Sequence, residues 1–154
     1  MSENLNILNK KLQNLERMRA DVQHSIGKMS EPLATIQQGD TARLTPDQRE
    51  TLSAFTTRFA TYQEQLGKAM KSIAIEEESA TTPFGAILAL MEKLAILDDI
   101  DTWKTIRDLR NAVNHEYEDD AHELHQILSA MLDAAPWLFA THGRMLRFIQ
   151  ENYR

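Results

Sequence analysis

Apolar residues separated by alternating steps of three and four fill the first half of the chain, and that spacing restricts the fold more than any other feature. Leu5, Leu8, Leu12, Leu15, Val22, Ile26, Met29, Leu33 and Ile36 form one series, interrupted by Arg19. Such steps place side chains on one side of an α-helix in the pattern of a heptad seam. Leu52, Phe55, Phe59, Tyr62, Leu66, Met70 and Ile73 form a second series. The plain reading is that the two stripes pack on each other as a hairpin. The sharper one is that part of the long first seam receives another chain. Pro32 lacks an N–H donor and is expected to kink the first helix or open a new turn. Gln38-Gly39-Asp40 ends it, with glycine as the C-cap. Thr45-Pro46-Asp47-Gln48 announces the second helix: a threonine cap, proline at the first helical position and a glutamine completing a capping box.

The second half keeps the helical period. Glu76 to Thr82 reads as a polar connection, after which Thr82-Pro83 is expected to cap a helix carrying Phe84, Ile87, Leu88, Met91 and Leu94. Asp98, Asp99 and Asp101 precede the next helix, where carboxylates suit the positive end of the helix dipole. Glu118-Asp119-Asp120 opens a final segment lined by Leu124, Leu128, Met131 and Leu132. Pro136 is expected to break that segment, with Trp137, Leu138, Met145, Phe148 and Ile149 continuing in a second piece. No stretch alternates apolar and polar residues as a half-buried strand does. The expected fold is therefore all-α: an up-and-down helical bundle of four long helices plus a broken C-terminal helix, forming one domain over residues 1–154.

Composition narrows the function classes. The chain has no cysteine, which excludes disulfides and thiolate metal sites and is compatible with a reducing compartment. Its N-terminus has no apolar targeting core, and no stretch approaches the roughly 20 apolar residues that span a bilayer, so a cytoplasmic location without a membrane partner is expected. A formal net charge of -6 argues against a broadly basic nucleic-acid binder, though not against a nuclease that uses a local patch.

The candidate site lies in Trp103 to Tyr117, WKTIRDLRNAVNHEY. At about 100° per residue, Trp103, Ile106, Leu109 and Val113 share an apolar stripe, and Arg110 falls inside it. A guanidinium there gives up water at a cost of several kcal/mol unless an anion compensates. The structural reading is an ion pair with Glu92, Asp99 or Asp101. The functional reading joins Arg110 to His115, the only nearby side chain with an ordinary pKa close to neutrality, with Asn111 and Asn114 as hydrogen-bonding neighbours. Arginine can hold a phosphate bidentately and meet the charge of a phosphorane transition state. Histidine can take a proton from a ribose 2′-OH or give one to the leaving 5′ oxygen. The two suffice for metal-independent cleavage of RNA to a 2′,3′-cyclic phosphate. Such cleavage prefers both an acid and a base, which a symmetric dimer would supply by pairing two copies of the motif in a shared cleft.

Other groups carry less. His122, Glu123 and His125 make a loose cluster with His115, but HELH lacks the H-E-x-x-H spacing of a zinc site and reads as a solvated helix face. His24 and His142 have no evident partner, and the glycines are scattered rather than gathered into a phosphate-cradling loop. Neither a cofactor nor a metal is expected.

Arg110-Asn111-Ala112-Val113-Asn114-His115 resembles the R-x4-6-H motif of HEPN domains, including the polar residue directly after the arginine. Its extension to Tyr117, R-x4-H-x-Y, is similar to HepT-type toxins of bacterial toxin–antitoxin pairs, and its position late in the penultimate long helix of an all-α chain fits them. The resemblance implies a homodimeric ribonuclease with Arg110 and His115 at the dimer interface. It also implies a cognate minimal nucleotidyltransferase antitoxin that adenylylates the motif tyrosine, here Tyr117. An AMP beside Arg110 would place a competing phosphate in the cleft and exclude RNA. The rival reading within the same resemblance is a non-catalytic, nucleotide-binding partner subunit of a minimal nucleotidyltransferase.

Charge around the motif is unfavourable to a polyanion. From Asp98 to Asp120 there are eight carboxylates (Asp98, Asp99, Asp101, Asp108, Glu116, Glu118, Asp119, Asp120) against three bases, Lys104, Arg107 and Arg110. RNA then needs cations from another surface, for which Lys10, Lys11, Arg17 and Arg19 are candidates. The acidic surroundings would alternatively suit docking to a basic antitoxin.

Overall fold

The computed structural model describes residues 2–112 and 120–153. Among them the secondary structure is helical throughout: α1 (Glu3–Ile26), α2 (Ser30–Gln37), a single 3-10 turn (Thr41–Arg43), α3 (Pro46–Glu76), α4 (Phe84–Lys93), α5 (Ile100–Ala112) and α6 (Ala121–Asn152). The all-α expectation holds. The expected arrangement of four long helices and a broken tail does not, because the long members are α1, α3 and α6, of 24, 31 and 32 residues.

The first seam divides into two helices. Ser2 caps α1, its Oγ accepting from Leu5 N at 3.0 Å, and Gly27 closes it. Pro32 sits in the first turn of α2, where its missing N–H would have had no intrahelical acceptor. Gly39, at φ +91°, follows the end of α2 and donates to the Ile36 carbonyl at 2.9 Å. That left-handed conformation is the one glycine adopts without a side-chain penalty. The capping box forms in full: Gln48 N donates to Thr45 Oγ1 and Thr45 N to Gln48 Oε1, both at 3.1 Å. Gln48 Nε2 also reaches Thr35 Oγ1 at 3.2 Å, which ties α2 to the start of α3.

α3 touches each of the other five helices, and all seven residues of its sequence stripe are buried. α1 lies antiparallel along it. Asn4 Nδ2 donates to the Ser72 carbonyl at 2.9 Å near one end, and Arg58 Nη1 to Ser25 Oγ at 2.9 Å towards the other. The two stripes therefore pack on each other as the plain reading held. Arg19 interrupts the seam where α6 arrives. Its guanidinium stands 4.9 Å from the centroid of the Phe139 ring, and Nη1 donates to the Phe139 carbonyl at 3.4 Å.

The expected break at Pro136 is overturned: α6 runs through it without interruption. A mid-helix proline forfeits one hydrogen bond and costs about 3 kcal/mol. Leu124, Leu128 and Met131 before it and Leu138, Met145 and Ile149 after it are all buried. Each contributes about 1.5–3 kcal/mol, so holding both halves against one core outweighs the local penalty. α4 starts at Phe84 with Pro83 at the cap position and no side-chain cap bond, so Thr82 does not serve as expected. Asp120 caps α6 by accepting from Glu123 N at 3.0 Å. Among the described residues no helix is long and apolar enough to cross a membrane.

Candidate functional site

The site begins with the start of α5. Asp99 Oδ2 accepts from Thr102 Oγ1 at 2.8 Å and Oδ1 from Asp101 N at 3.2 Å. These bonds hold the carboxyl below its ordinary pKa, the Thr102 bond contributing most, and keep it charged at the helix's positive end. With that start fixed, Trp103 and Ile106 enter the core, at 3% and 2% exposure. Arg107 and Arg110, four and seven residues after Trp103, come to lie half-buried beside α3.

Arg110 makes no ion pair with Glu92, Asp99 or Asp101. Among the described residues its polar contact is the Ala60 carbonyl of α3, which accepts from Nη1 at 3.3 Å. A guanidinium has five N–H donors, and this bond uses one of them. Arg110 also lines a cavity of about 310 Å³ between α3, α4 and α5. From α3 the lining takes Gln63, Glu64, Gly67, Lys68 and Lys71; from α4, Phe84; from α5, Trp103, Arg107 and Arg110. The α3 members recur at helical spacing and share one face. Gly67 lets the aromatic walls close in: a Cβ there would meet Phe84 Cζ at 3.3 Å and Trp103 Cζ2 at 3.6 Å.

Among the described residues, four cationic side chains line the cavity, together with the carboxylate of Glu64. Glu64 is itself 3.6 Å from Lys68 Nζ. Two of these cations, Lys68 and Lys71, come from α3. None of Lys10, Lys11, Arg17 and Arg19 reaches this cavity, and Arg19 is engaged with Phe139. Asn111 is exposed and does not line the cavity. Asn114, His115 and Tyr117 lie outside the described residues.

Gln63 is 1% exposed, and its Nε2 donates to the Trp103 carbonyl at 3.2 Å. Its Oε1, which is fully enclosed, has no hydrogen-bond partner among the described residues. Leaving such a buried acceptor unmatched costs roughly 1–3 kcal/mol.

A second polar group, unread in the sequence, joins α1, α3 and α6. His142, fully buried, shares a 2.7 Å hydrogen bond between Nδ1 and the Tyr62 hydroxyl. Its Nε2 stands 3.4 Å from Glu16 Oε1, within ion-pair range but without hydrogen-bond geometry. Burial pushes the His142 pKa down; Arg19 adds to this and Glu16 opposes it. Burial likewise raises the Tyr62 pKa. A phenol that keeps its proton donates to Nδ1, and the imidazole is then neutral with its N–H on the Glu16 side.

His122 is exposed, while His125 Nδ1 is 3.5 Å from Ser129 Oγ. Among the described residues no group of three His, Cys, Asp or Glu side chains is placed to hold a metal ion.

No family model matches the chain, and neither a curated protein nor a solved structure matches it.

Proposed function

We propose that this chain is a metal-independent endoribonuclease of the HEPN type, the toxin of a toxin–antitoxin pair. The observation that carries the reading is the setting of Arg110. The motif arginine lies at a cavity walled by Trp103 and Phe84 and surrounded by Lys68, Lys71 and Arg107, which is chemistry suited to a nucleotide's base and phosphate. In this reading the helices form an up-and-down bundle that pairs with a second copy, so that two Arg110–His115 sets share one cleft. One His115 takes the 2′-OH proton, the other protonates the leaving 5′ oxygen, and Arg110 meets the charge on the phosphorane. Asn111 and Asn114 support the motif. A nucleotidyltransferase antitoxin silences it by placing AMP on Tyr117.

The test pairs intact-mass measurement with an RNA cleavage assay, on protein produced alone and with a co-expressed minimal nucleotidyltransferase. The expected result is cleavage by the unmodified protein, lost with Arg110→Ala or His115→Ala. Co-expression should add AMP-sized mass that maps to Tyr117, disappears with Tyr117→Phe and abolishes cleavage. Protein that cuts no RNA and gains no mass refutes the toxin mechanism. Nucleotide binding without either activity leaves the non-catalytic partner subunit, which the same cavity chemistry also suits.

A further inference from the structure

The cavity between α3, α4 and α5 combines two properties that seldom meet. Most of the described residues that line it are charged or polar, yet its wall is almost wholly apolar. Lysine and arginine reconcile the two, because their methylene stems lie along apolar surface while the charged heads stay in water. The stems of Lys68, Lys71, Arg107 and Arg110 thus belong to the wall and their heads to the mouth. We infer that the cavity binds a small amphipathic carboxylate, with its apolar body inside and its one anionic group at the mouth. This goes beyond the ribonuclease reading and does not depend on it.

The interior suits an apolar body. Gly67 leaves the α3 side of the cavity at backbone level, and a Cβ there would press on the Phe84 and Trp103 rings together. Trp103 is buried, whereas Phe84 is 39% exposed and so still has apolar surface to lose to a ligand. Removing that surface from water is the driving force for entry. A volume of about 310 Å³ lies at the small end of ligand sites, which suits one ring system on a short chain rather than a long acyl tail.

The mouth sets the sign of the charge. Glu64, the carboxylate among the described lining residues, stands 3.6 Å from Lys68 Nζ, so its charge is met there. Among the described residues no ion pair or side-chain hydrogen bond engages the heads of Lys71 and Arg107. Arg110 gives one of its five donors to the Ala60 carbonyl and keeps the rest. A single anionic group therefore meets several heads with donors to spare, a neutral one gains burial alone, and a cation is repelled. Arg110 belongs both to the cavity and to the motif, so a carboxylate held at the mouth competes with an RNA phosphate for its donors and restrains cleavage.

The experiment is isothermal titration calorimetry of the full chain with probes of one shape and three charges: naphthylacetate, naphthylacetamide and naphthylethylamine. Acetate and AMP serve as the head group alone and as the competing ligand class. Naphthylacetate should bind one to one, the amide about tenfold more weakly or worse, and the amine and acetate not at all. Phe84→Ala should weaken naphthylacetate about tenfold. Lys71→Gln combined with Arg107→Gln should lower naphthylacetate to the affinity of the amide and leave the amide's own affinity unchanged, a result that misfolding would not give. Equal affinity for acid and amide, or binding of the amine, overturns the charge selection. Binding indifferent to Phe84→Ala overturns the location, and AMP binding more tightly than naphthylacetate gives the cavity to a nucleotide instead. In the RNA cleavage assay naphthylacetate should inhibit the parent and not Phe84→Ala; binding without inhibition overturns the competition for Arg110. A parent that cuts no RNA sinks the nuclease, while the calorimetry still decides the carboxylate site.

Discussion

The Tyr62–His142 pair gives a prediction whose sign and size both follow from geometry. Tyr62→Phe leaves Nδ1 of a fully buried imidazole without its donor, and His142→Leu leaves a fully buried hydroxyl without its acceptor. Each single change is expected to cost about 1–3 kcal/mol, whereas replacing both partners with apolar groups approaches neutrality. The double variant should therefore lose clearly less than the two singles added together. In a chain of this length, each kcal/mol corresponds to roughly 2–4 °C in Tm.

The pH dependence follows from the direction of the His142 shift. Its folded pKa lies below the ordinary value, so the unfolded chain binds a proton first as pH falls. The stability contributed by the neutral imidazole is complete above about pH 6.5. It declines below that, down to the folded pKa. Glu16 is the carboxylate facing the ring and partly offsets the loss by attracting the protonated form; Arg19 deepens it. Urea melts at pH 7.5 and 5.5 should show the parent weaker at the lower pH and His142→Leu nearly indifferent. The carboxylates with lowered pKa, Glu76 and Asp99, lose their contributions only at more acidic pH, so they do not obscure the window. Equal pH slopes in parent and His142→Leu, or strict additivity of the two single changes, would refute this account.

Other perturbations test separate parts of the structure. Thr45→Ala removes a formed capping box and should cost about 1 kcal/mol in a denaturant melt; no change would mean the cap is redundant. Pro136→Ala restores the missing helical donor at an exposed position and should stabilise by about 1–2 kcal/mol, with destabilisation showing that the proline is accommodated by more than packing. Arg110→Ala gives up the bond to the Ala60 carbonyl, which for a charged donor is worth about 1.5–3 kcal/mol in stability. Its effect on cleavage should be about 100-fold or greater, and a variant that loses fold and activity together would reassign Arg110 to a structural role.

The helical period was legible because it is local. Every member of the α3 stripe is buried, and the Thr45–Gln48 box forms atom for atom as its spacing implied. Pro136 misled because its penalty is also local, whereas what overrides it is burial spread along both halves of α6. His142 had no visible partner because Tyr62 lies 80 positions away, and no periodicity joins an imidazole to a phenol at that range.

The cavity was hidden for a related reason, although one signal pointed to it. Lys68 and Lys71 belong to no motif, and the candidate cations named from the sequence, Lys10, Lys11, Arg17 and Arg19, lie on the first helix. The packing of α5 on α3 brings those lysines to the same cavity as Arg107 and Arg110. Yet Gly67 stands between Leu66 and Lys68 in the middle of a strong helical stripe, where glycine costs about 1 kcal/mol relative to alanine. A helix that tolerates such a residue at a buried position is being approached closely by another element, and here the approaching groups are the Phe84 and Trp103 rings. Glycine at that point and lysines one and four residues beyond it belong to a single surface. A net charge of -6 averages over the chain and conceals that, among the described residues, four cationic side chains line this one cavity.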